Sequence, residues 1–172
     1  MNDSINVISI KDLQNLFPRS FGDYFKDNFF LANTSFLDFP ELREKFQHPY
    51  RLDAYMAIFC FEGELTVEIN LKPYHITKGS VIINVPGNVW RICDTSPAPP
   101  DARRFVLIAV SRDFLSISRM NYVHLYRQNL SAFNNPCFTI TESEQEVLNK
   151  YYELAHELRS RNISNIRQTL WG

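Results

Sequence analysis

Apolar and polar side chains alternate most clearly in residues 63–90, the part of the chain that best predicts its fold. The period is two, as in a β-strand with one buried face, and its apolar members are Leu65, Val67, Ile69 and Leu71. Gly79 precedes a second apolar run, and Pro86-Gly87 ends it. Short strands divided by such turns predict a small antiparallel β-barrel, a fold that holds ligands in its mouth.

Further strands are predicted on both sides of this region. They cover residues 28–34, 50–61, 74–77, 81–85, 89–93 and 104–110. The 50–61 segment is a nearly continuous apolar run, as expected of one long strand buried on both faces. The Lys72-Pro73 pair is predicted to form the turn after the alternating strand. Ahead of the strands, residues 10–16 predict a short helix that Pro18 ends.

The spacing of apolar residues becomes helical after the last predicted strand. Residues 118–133 carry apolar side chains at helical spacing, and Thr141 with Glu144 forms a capping-box signature before another amphipathic helix. A further helix is predicted from Ser164, and the chain ends at Gly172 before the apolar stripe of that helix is complete. We therefore expect these residues to be a fragment of a longer protein, and a natural stop is the alternative.

Composition and charge argue against several classes of protein. The 18 basic and 19 acidic residues give a net charge of −1, which argues against nucleic-acid binding by this segment alone. No apolar run is long enough to span a membrane, and the N-terminus lacks the features of a signal peptide. The three cysteines include no CxxC pair. Together these features predict a cytoplasmic protein.

The strand and turn pattern resembles the cupin barrel, in which three histidines and a carboxylate commonly hold a divalent metal. The glycines and the proline of that framework are present as Gly63, Gly79, Pro86 and Gly87. Its metal-ligand positions fall instead on residues 50–52, on Met56, and on Trp90 or Arg91. The resemblance therefore implies a mainly β fold, an antiparallel jelly-roll barrel with C-terminal amphipathic helices, without a metal or cofactor. No nucleophile motif is present either, so we predict no catalytic residue and no enzyme.

A pocket without metal is the functional alternative. The candidate ligand-binding residues are Arg51, Tyr55, Trp90 and Arg91. Trp and Tyr offer flat apolar faces to a sugar ring or a planar metabolite, and Arg offers a fork of donors to a carboxylate or hydroxyls. Structural roles are the alternatives: Trp90 fills the core, and Arg51 pairs with Asp53 or Glu68. Only one of Trp90 and Arg91 can point inward, because neighbours in a strand face opposite sides.

A barrel without metal ligands followed by amphipathic helices is similar to the effector-binding and dimerisation domain of AraC-type transcriptional regulators. The similarity covers about residues 29–171, and its clearest phrases are residues 48–53, 63–67 and 79–87. It implies three parts. They are an N-terminal segment over 1–27, a cupin-like barrel over 28–112 and a helical dimerisation or linker region over 113–172.

The same resemblance implies the partners. We expect a small-molecule effector such as a sugar in the barrel, a homodimer, no membrane contact, and DNA binding only through a C-terminal domain absent from this chain. The dimer seam is expected at Leu154, Leu158, Ile166 and Leu170. Alternatively, the first C-terminal helix covers the barrel. A small cupin enzyme, such as an isomerase or a metal-dependent dioxygenase, and a stand-alone binding barrel are the other functional readings.

Overall fold

The computed structural model describes residues 5–17, 22–25, 28–34, 40–94, 103–117 and 134–160. Its strands are β1 (Asn6–Ile8), β2 (Gly22–Phe25), β3 (Phe29–Thr34), β4 (Tyr50–Leu52), β5 (Tyr55–Glu62), β6 (Leu65–Ile69), β7 (Lys72–Ile76), β8 (Ser80–Asn84), β9 (Val89–Asp94), β10 (Arg104–Val110) and β11 (Cys137–Thr139). Its helices are α1 (Ile10–Leu16), α2 (Pro40–Gln47), α3 (Arg112–Ile117) and α4 (Glu142–Ser160).

The strands form two separate sheets. One sheet has the order β1-β4-β9-β6-β7, and the other has the order β11-β8-β5-β10-β3-β2. Only the β1–β4 pair is parallel among the pairings of the described strands. From β3 to β10 the chain passes repeatedly between the two sheets, and β6 and β7 are the consecutive strands that share one. This is the connectivity of a two-sheet jelly roll, so the predicted mainly β fold with a C-terminal helix is confirmed.

The core lies between the facing sides of the two sheets. Alternate residues of each strand supply it, as the period of two requires. The six-stranded sheet contributes Met56, Ile58, Cys60, Phe105, Leu107 and Ala109. The five-stranded sheet contributes Leu52, Leu65, Val67, Ile69, Trp90 and Ile92. Helix α1 closes part of this core with Ile10 and Leu13, which are both buried.

The predicted single strand over 50–61 is wrong, because the segment forms two strands in different sheets. Strand β4 pairs with β9 in the five-stranded sheet, whereas β5 pairs with β8 and β10 in the six-stranded sheet. The chain crosses between the sheets at Asp53 and Ala54. The Asp53 backbone N–H bonds to the Ile8 carbonyl at 2.9 Å, and Ala54 is fully buried. Buried residues alternate with exposed or half-buried ones from Tyr50 to Cys60 without a break, so the burial pattern does not mark the crossover.

The predicted turn at Lys72-Pro73 is also displaced. The turn residues are Asn70 and Leu71, whose φ angles are 51° and 67°. The Asn70 side chain accepts a hydrogen bond from the Val89 backbone N–H at 3.0 Å, which fixes this conformation. Pro73 lies inside β7 instead, opposite Glu68. A proline is tolerated there because β7 is an edge strand.

Capping boxes begin both α1 and α4. In α1, Ser9 and Asp12 each bond the other's backbone N–H, and the helix spans the predicted 10–16. In α4, the predicted pair is confirmed, because Thr141 accepts from the Glu144 N–H at 3.3 Å and Glu144 accepts from the Thr141 N–H at 2.7 Å. The helices predicted over 118–133 and from Ser164 lie outside the described residues.

The chain divides into two compact units, Met1–Thr139 and Ile140–Gly172. The sheets of the first unit include β1 and β2, from the predicted N-terminal segment, and β11, from the predicted helical region. The second unit contains α4. In the part of the chain that the structure describes, no helix combines the length and the apolar character required to cross a membrane.

Candidate functional site

A small apolar cavity lies between the two sheets of the jelly roll. Its volume is about 20 Å³. A cavity of this volume holds about one water molecule. Ligand pockets are much larger, at roughly 300 to 1,000 Å³. The lining residues are Leu13, Phe17, Phe46, Tyr50, Leu52, Met56, Ile58, Leu65, Val67, Trp90, Ile92 and Leu107. The interior of the jelly roll is therefore largely filled by side chains around this small void.

Both N-terminal helices contribute to this lining. Leu13 comes from α1, Phe17 lies at its C-terminal end, and Phe46 comes from α2. The ring centroid of Phe46 lies 5.1 Å from that of Tyr50 and 6.5 Å from that of Phe17. Phe17 also packs against Phe30, with centroids 5.2 Å apart. The cavity is bounded on this side by an aromatic cluster that joins the helical residues Phe17 and Phe46 to the strand residues Tyr50 and Phe30.

Trp90 is the largest side chain that reaches the cavity, and its polar atom is already engaged. The indole is 1% exposed, and its Nε1–H donates to Asn84 Oδ1 at 2.6 Å. The Asn84 amide in turn donates to the Ala54 carbonyl at 2.9 Å. A ligand in the cavity would therefore meet the apolar face of Trp90, because its hydrogen-bonding edge faces Asn84.

The structure does not bring the four predicted ligand-binding residues together. Trp90 faces the interior, as the core alternative required, and its neighbour Arg91 faces outward. Arg51 is exposed, and Tyr55 is half-buried on the outward side of β5. Strand alternation turns Arg51, Tyr55 and Arg91 away from the interior, and Trp90 is the one of the four that lines the cavity.

Arg91 is held by a partner on the neighbouring strand. Its Nε and Nη2 donate to the two carboxylate oxygens of Glu68 at 2.9 Å and 2.7 Å. The hydrogen bond and charge of Glu68 raise the pKa of the Arg91 guanidinium. The alternative pairing of Arg51 with Asp53 or Glu68 is also not formed, since Asp53 pairs instead with Arg112 at 3.1 Å.

Three lining residues stand at positions that sequence reasoning had considered only for metal binding. Tyr50, Leu52 and Met56 all line the cavity. The cupin glycine and proline framework was the signal that located them, because it marks the inward positions of β4 and β5. Burial raises the pKa of the Tyr50 hydroxyl, so this side chain stays neutral.

These positions do not fit a divalent metal. Tyr50, Leu52, Met56 and Trp90 provide no imidazole or carboxylate, the groups that hold such ions in cupin-like sites. Among the residues described, no group of three His, Cys, Asp or Glu side chains is placed to hold a metal ion.

Helix α4 carries an exposed apolar stripe. Val147, Tyr151 and Leu154 are 50%, 67% and 48% exposed. Their spacing of four and three residues is the heptad spacing of a coiled-coil seam, and Leu158 continues it in the sequence. Of the predicted dimer residues, Leu154 therefore lies on this stripe and Leu158 lies in α4. Ile166 and Leu170 lie outside the described residues.

Comparisons with known proteins give fold-level likeness alone. No family model matches the chain, and no curated protein matches it. A cupin protein from Bacteroides fragilis shares 12% identity over 49% of this chain and 67% of its own, with a TM-score of 0.34. The EutQ protein of Clostridium difficile shares 14% identity over 54% of each chain, with a TM-score of 0.30. An oxalate decarboxylase variant from Bacillus subtilis shares 10% identity over 82% of this chain and 44% of its own, with a TM-score of 0.32. The jelly-roll assignment rests on the strand order of the structure itself.

Proposed function

We propose that this chain is the effector-sensing and dimerisation part of an AraC-type transcriptional regulator. The observation that carries the proposal is the exposed heptad stripe of α4, which follows a jelly roll in the sequence. A contiguous exposed apolar patch is typical of an interaction site, and Val147, Tyr151 and Leu154 form such a stripe. The effector-sensing role is supported by the apolar cavity of the jelly roll, where a small effector would bind.

The cavity favours an apolar effector over a sugar. A sugar needs several convergent hydrogen-bonding groups, whereas the side chains that line the cavity are aliphatic or aromatic. The indole N–H of Trp90 is engaged by Asn84. A flat or aliphatic molecule would lie on the faces of Trp90 and Tyr50 without leaving its own polar groups unpaired.

Effector binding requires the cavity to enlarge. Leu13 and Phe17 are the lining side chains that we expect to move aside, because they belong to the short helix α1 and its C-terminal end. An effector that occupies their place would shift the population towards a state in which α1 is displaced. The N-terminal segment would then act as the element that reports occupancy.

Dimerisation through α4 is tested by placing a charge on the stripe. Leu154→Glu is expected to raise the dimer dissociation constant at least about tenfold, since a carboxylate is costly to bury in an apolar seam. Sedimentation equilibrium measures this constant. The matched control is His156→Glu, which adds the same side chain at an exposed position on the opposite side of α4. Equal dissociation constants for the wild type and Leu154→Glu would contradict the proposed seam.

The effector site is tested by a library of small apolar molecules, with quenching of tryptophan fluorescence as the readout. Hits that bind the wild type are repeated on Met56→Trp, which fills the cavity between the sheets, and on Val7→Trp, which adds the same bulk at an exposed position. We expect Met56→Trp to abolish binding and Val7→Trp to preserve it. Binding that survives Met56→Trp would place the effector elsewhere.

The regulatory role is tested by sequencing the gene beyond codon 172. A reading frame that continues beyond codon 172 into a basic segment with two helix-turn-helix units supports it, and a stop codon directly after Gly172 contradicts it. A small cupin enzyme is the alternative, and stoichiometric iron, manganese or zinc in the purified protein would favour that alternative.

A further inference from the structure

A buried arginine at one end of the jelly roll presents an unsatisfied pair of donors. Arg103, which directly precedes β10, is 4% exposed. Its Nε and Nη2 atoms are shielded from solvent, and neither has a hydrogen-bond partner among the residues that the structure describes. An arginine remains charged when buried, because its delocalised guanidinium group keeps its proton in proteins. Such a group is strongly destabilising unless an acceptor meets it.

The two unpaired atoms form one edge of the guanidinium group. The Nε–H and Nη2–H bonds on this edge run side by side, and this geometry matches the two oxygens of a carboxylate. Arg91 of the same chain shows the match directly, since its Nε and Nη2 bind the two oxygens of Glu68 at 2.9 Å and 2.7 Å. Arg103 offers the same edge in a buried position.

The neighbouring arginine is in a different environment. The Arg104 guanidinium lies 4.8 Å from the centre of the Phe61 ring, and the residue is only half-buried. Arg104 thus has an aromatic surface and access to solvent. The Nε and Nη2 atoms of Arg103, in contrast, are shielded from solvent.

We propose that the Nε and Nη2 edge of Arg103 binds a small molecule through a single carboxylate group. A monocarboxylate neutralises the guanidinium charge one for one. A phosphate dianion would leave a net negative charge in the same buried place, which costs free energy in a medium of low dielectric constant. The site is separate from the apolar cavity, whose contribution from β10 is Leu107. The inference does not rest on the regulatory role, since an enzyme or a binding barrel could hold the same ligand.

The experiment titrates the protein with sodium acetate and sodium benzoate, and with sodium chloride at the same ionic strength as the reference. The readouts are the melting temperature and the NMR signal of the Arg103 Nε–H group, assigned by through-bond correlation in the wild-type protein. We expect a saturable rise in melting temperature with at least one carboxylate and not with chloride. The Arg103 Nε–H signal should move along the same binding curve.

Two variants locate the effect. Arg103→Lys keeps the charge and removes the fork, so the carboxylate dissociation constant should rise by about tenfold or more. Arg104→Lys makes the same change at the next residue and should leave that constant as in the wild type. Saturable binding that Arg103→Lys leaves intact would overturn the proposal.

The wild-type titration decides the matter even if Arg103→Lys does not fold. An Arg103 Nε–H signal that follows the carboxylate titration supports the site. A signal that stays still, or that responds equally to chloride, overturns the proposal and leaves a buried water molecule or an unspecific anion as the acceptor.

Discussion

Asn84 Oδ1 accepts a hydrogen bond from Trp90 Nε1 at 2.6 Å, between side chains that are both almost completely buried. Asn84 is the last residue of β8, in the six-stranded sheet, and Trp90 belongs to β9, in the five-stranded sheet. The Asn84 amide completes the connection by donating to the Ala54 carbonyl at the β4–β5 crossover. One asparagine therefore fixes two of the places where the chain passes between the sheets.

Replacing Asn84 with an apolar residue of similar volume should lower the free energy of unfolding, because it removes two buried hydrogen bonds. Asn84→Leu leaves the Trp90 N–H and the Ala54 carbonyl buried without partners, at about 1–3 kcal/mol for each group. We expect the free energy of unfolding to fall by roughly 2–6 kcal/mol in urea denaturation. Trp90→Phe and the double variant complete a double-mutant cycle, which isolates the energy of the pair. Additive effects of the two substitutions would contradict a direct contribution from the hydrogen bond.

The β6–β7 turn should be stabilised by a glycine. Leu71 has a φ of 67° and is 87% exposed, so its side chain gains nothing from burial while its backbone is strained. An Asn-Gly pair is the preferred sequence for a hairpin turn with two positive φ angles. We expect Leu71→Gly to raise the free energy of unfolding by about 0.5–1 kcal/mol, measured in urea.

Leu71→Ala is the control for that substitution. Alanine removes the exposed side chain and keeps the Cβ atom that opposes a positive φ. Its free energy of unfolding should stay within about 0.5 kcal/mol of the wild type. A gain in Leu71→Ala as large as that in Leu71→Gly would show that the effect comes from the exposed leucine side chain.

The capping box of α1 should make stability depend on pH. The Ser9 side chain and backbone N–H lower the pKa of the Asp12 carboxyl by hydrogen bonding to it. A carboxyl whose pKa is lower in the folded state contributes its full stability above the unfolded value of 3.8. That contribution is lost as the pH falls below this value through the folded pKa. Urea denaturation at pH 7 and pH 3 should therefore show a smaller pH difference for Asp12→Asn than for the wild type.

The hydroxyl of the same box has its own expected effect. Ser9→Ala should reduce the free energy of unfolding at pH 7 by about 1 kcal/mol, because the Asp12 backbone N–H loses its acceptor. Ser9→Thr retains the hydroxyl and should keep most of that stability. An unchanged free energy of unfolding in Ser9→Ala would show that the cap contributes nothing to the native state.

The cysteines should differ sharply in reactivity. Burial raises the pKa of the Cys60 thiol to about 12, and Sγ lies 3.4 Å from the Gly63 carbonyl oxygen. Cys93 is exposed. Because the thiolate is the nucleophile, iodoacetamide at pH 8 should label Cys93 in the native protein and Cys60 only after denaturation. Peptide mass mapping measures both, and early labelling of Cys60 under native conditions would contradict the buried position.

The fold was largely predictable because most of its strands carry a simple period. Strand β6 has buried residues at every second position, so its pattern alone defined it. The Thr141 and Glu144 pair marked the first residues of α4 for a similar local reason, whereas the Ser9 and Asp12 box of α1 was seen only in the structure. The crossover at Asp53–Ala54 was not predictable, since the alternation of buried and more exposed residues continues through it without a break. The turn at Asn70–Leu71 was missed because a leucine rarely adopts a positive φ.

The candidate site was predictable only in part. Trp90 was singled out as one of two neighbours that could face inward, and the structure places it inside. Arg51 and Arg91 were chosen for their chemistry, while the strand register turned them outward. Arg103 follows a proline-rich stretch in the sequence, and no periodic pattern extends to it. Its burial is a property of the tertiary structure, which local patterns do not contain.

The position of β10 also dictates when the molecule can assemble. It is the last strand of the jelly roll before β11 and lies between β5 and β3 in the six-stranded sheet, bonded to both. Strand β10 pairs with β3 on one side and with β5 on the other. Until Arg104–Val110 has been synthesised, β3 and β5 therefore each have one edge without a hydrogen-bonded neighbour. Such late, long-range closure slows folding, and open edges invite pairing with other chains. A ribosome-bound chain that has not yet released β10 should therefore be the stage most dependent on chaperones.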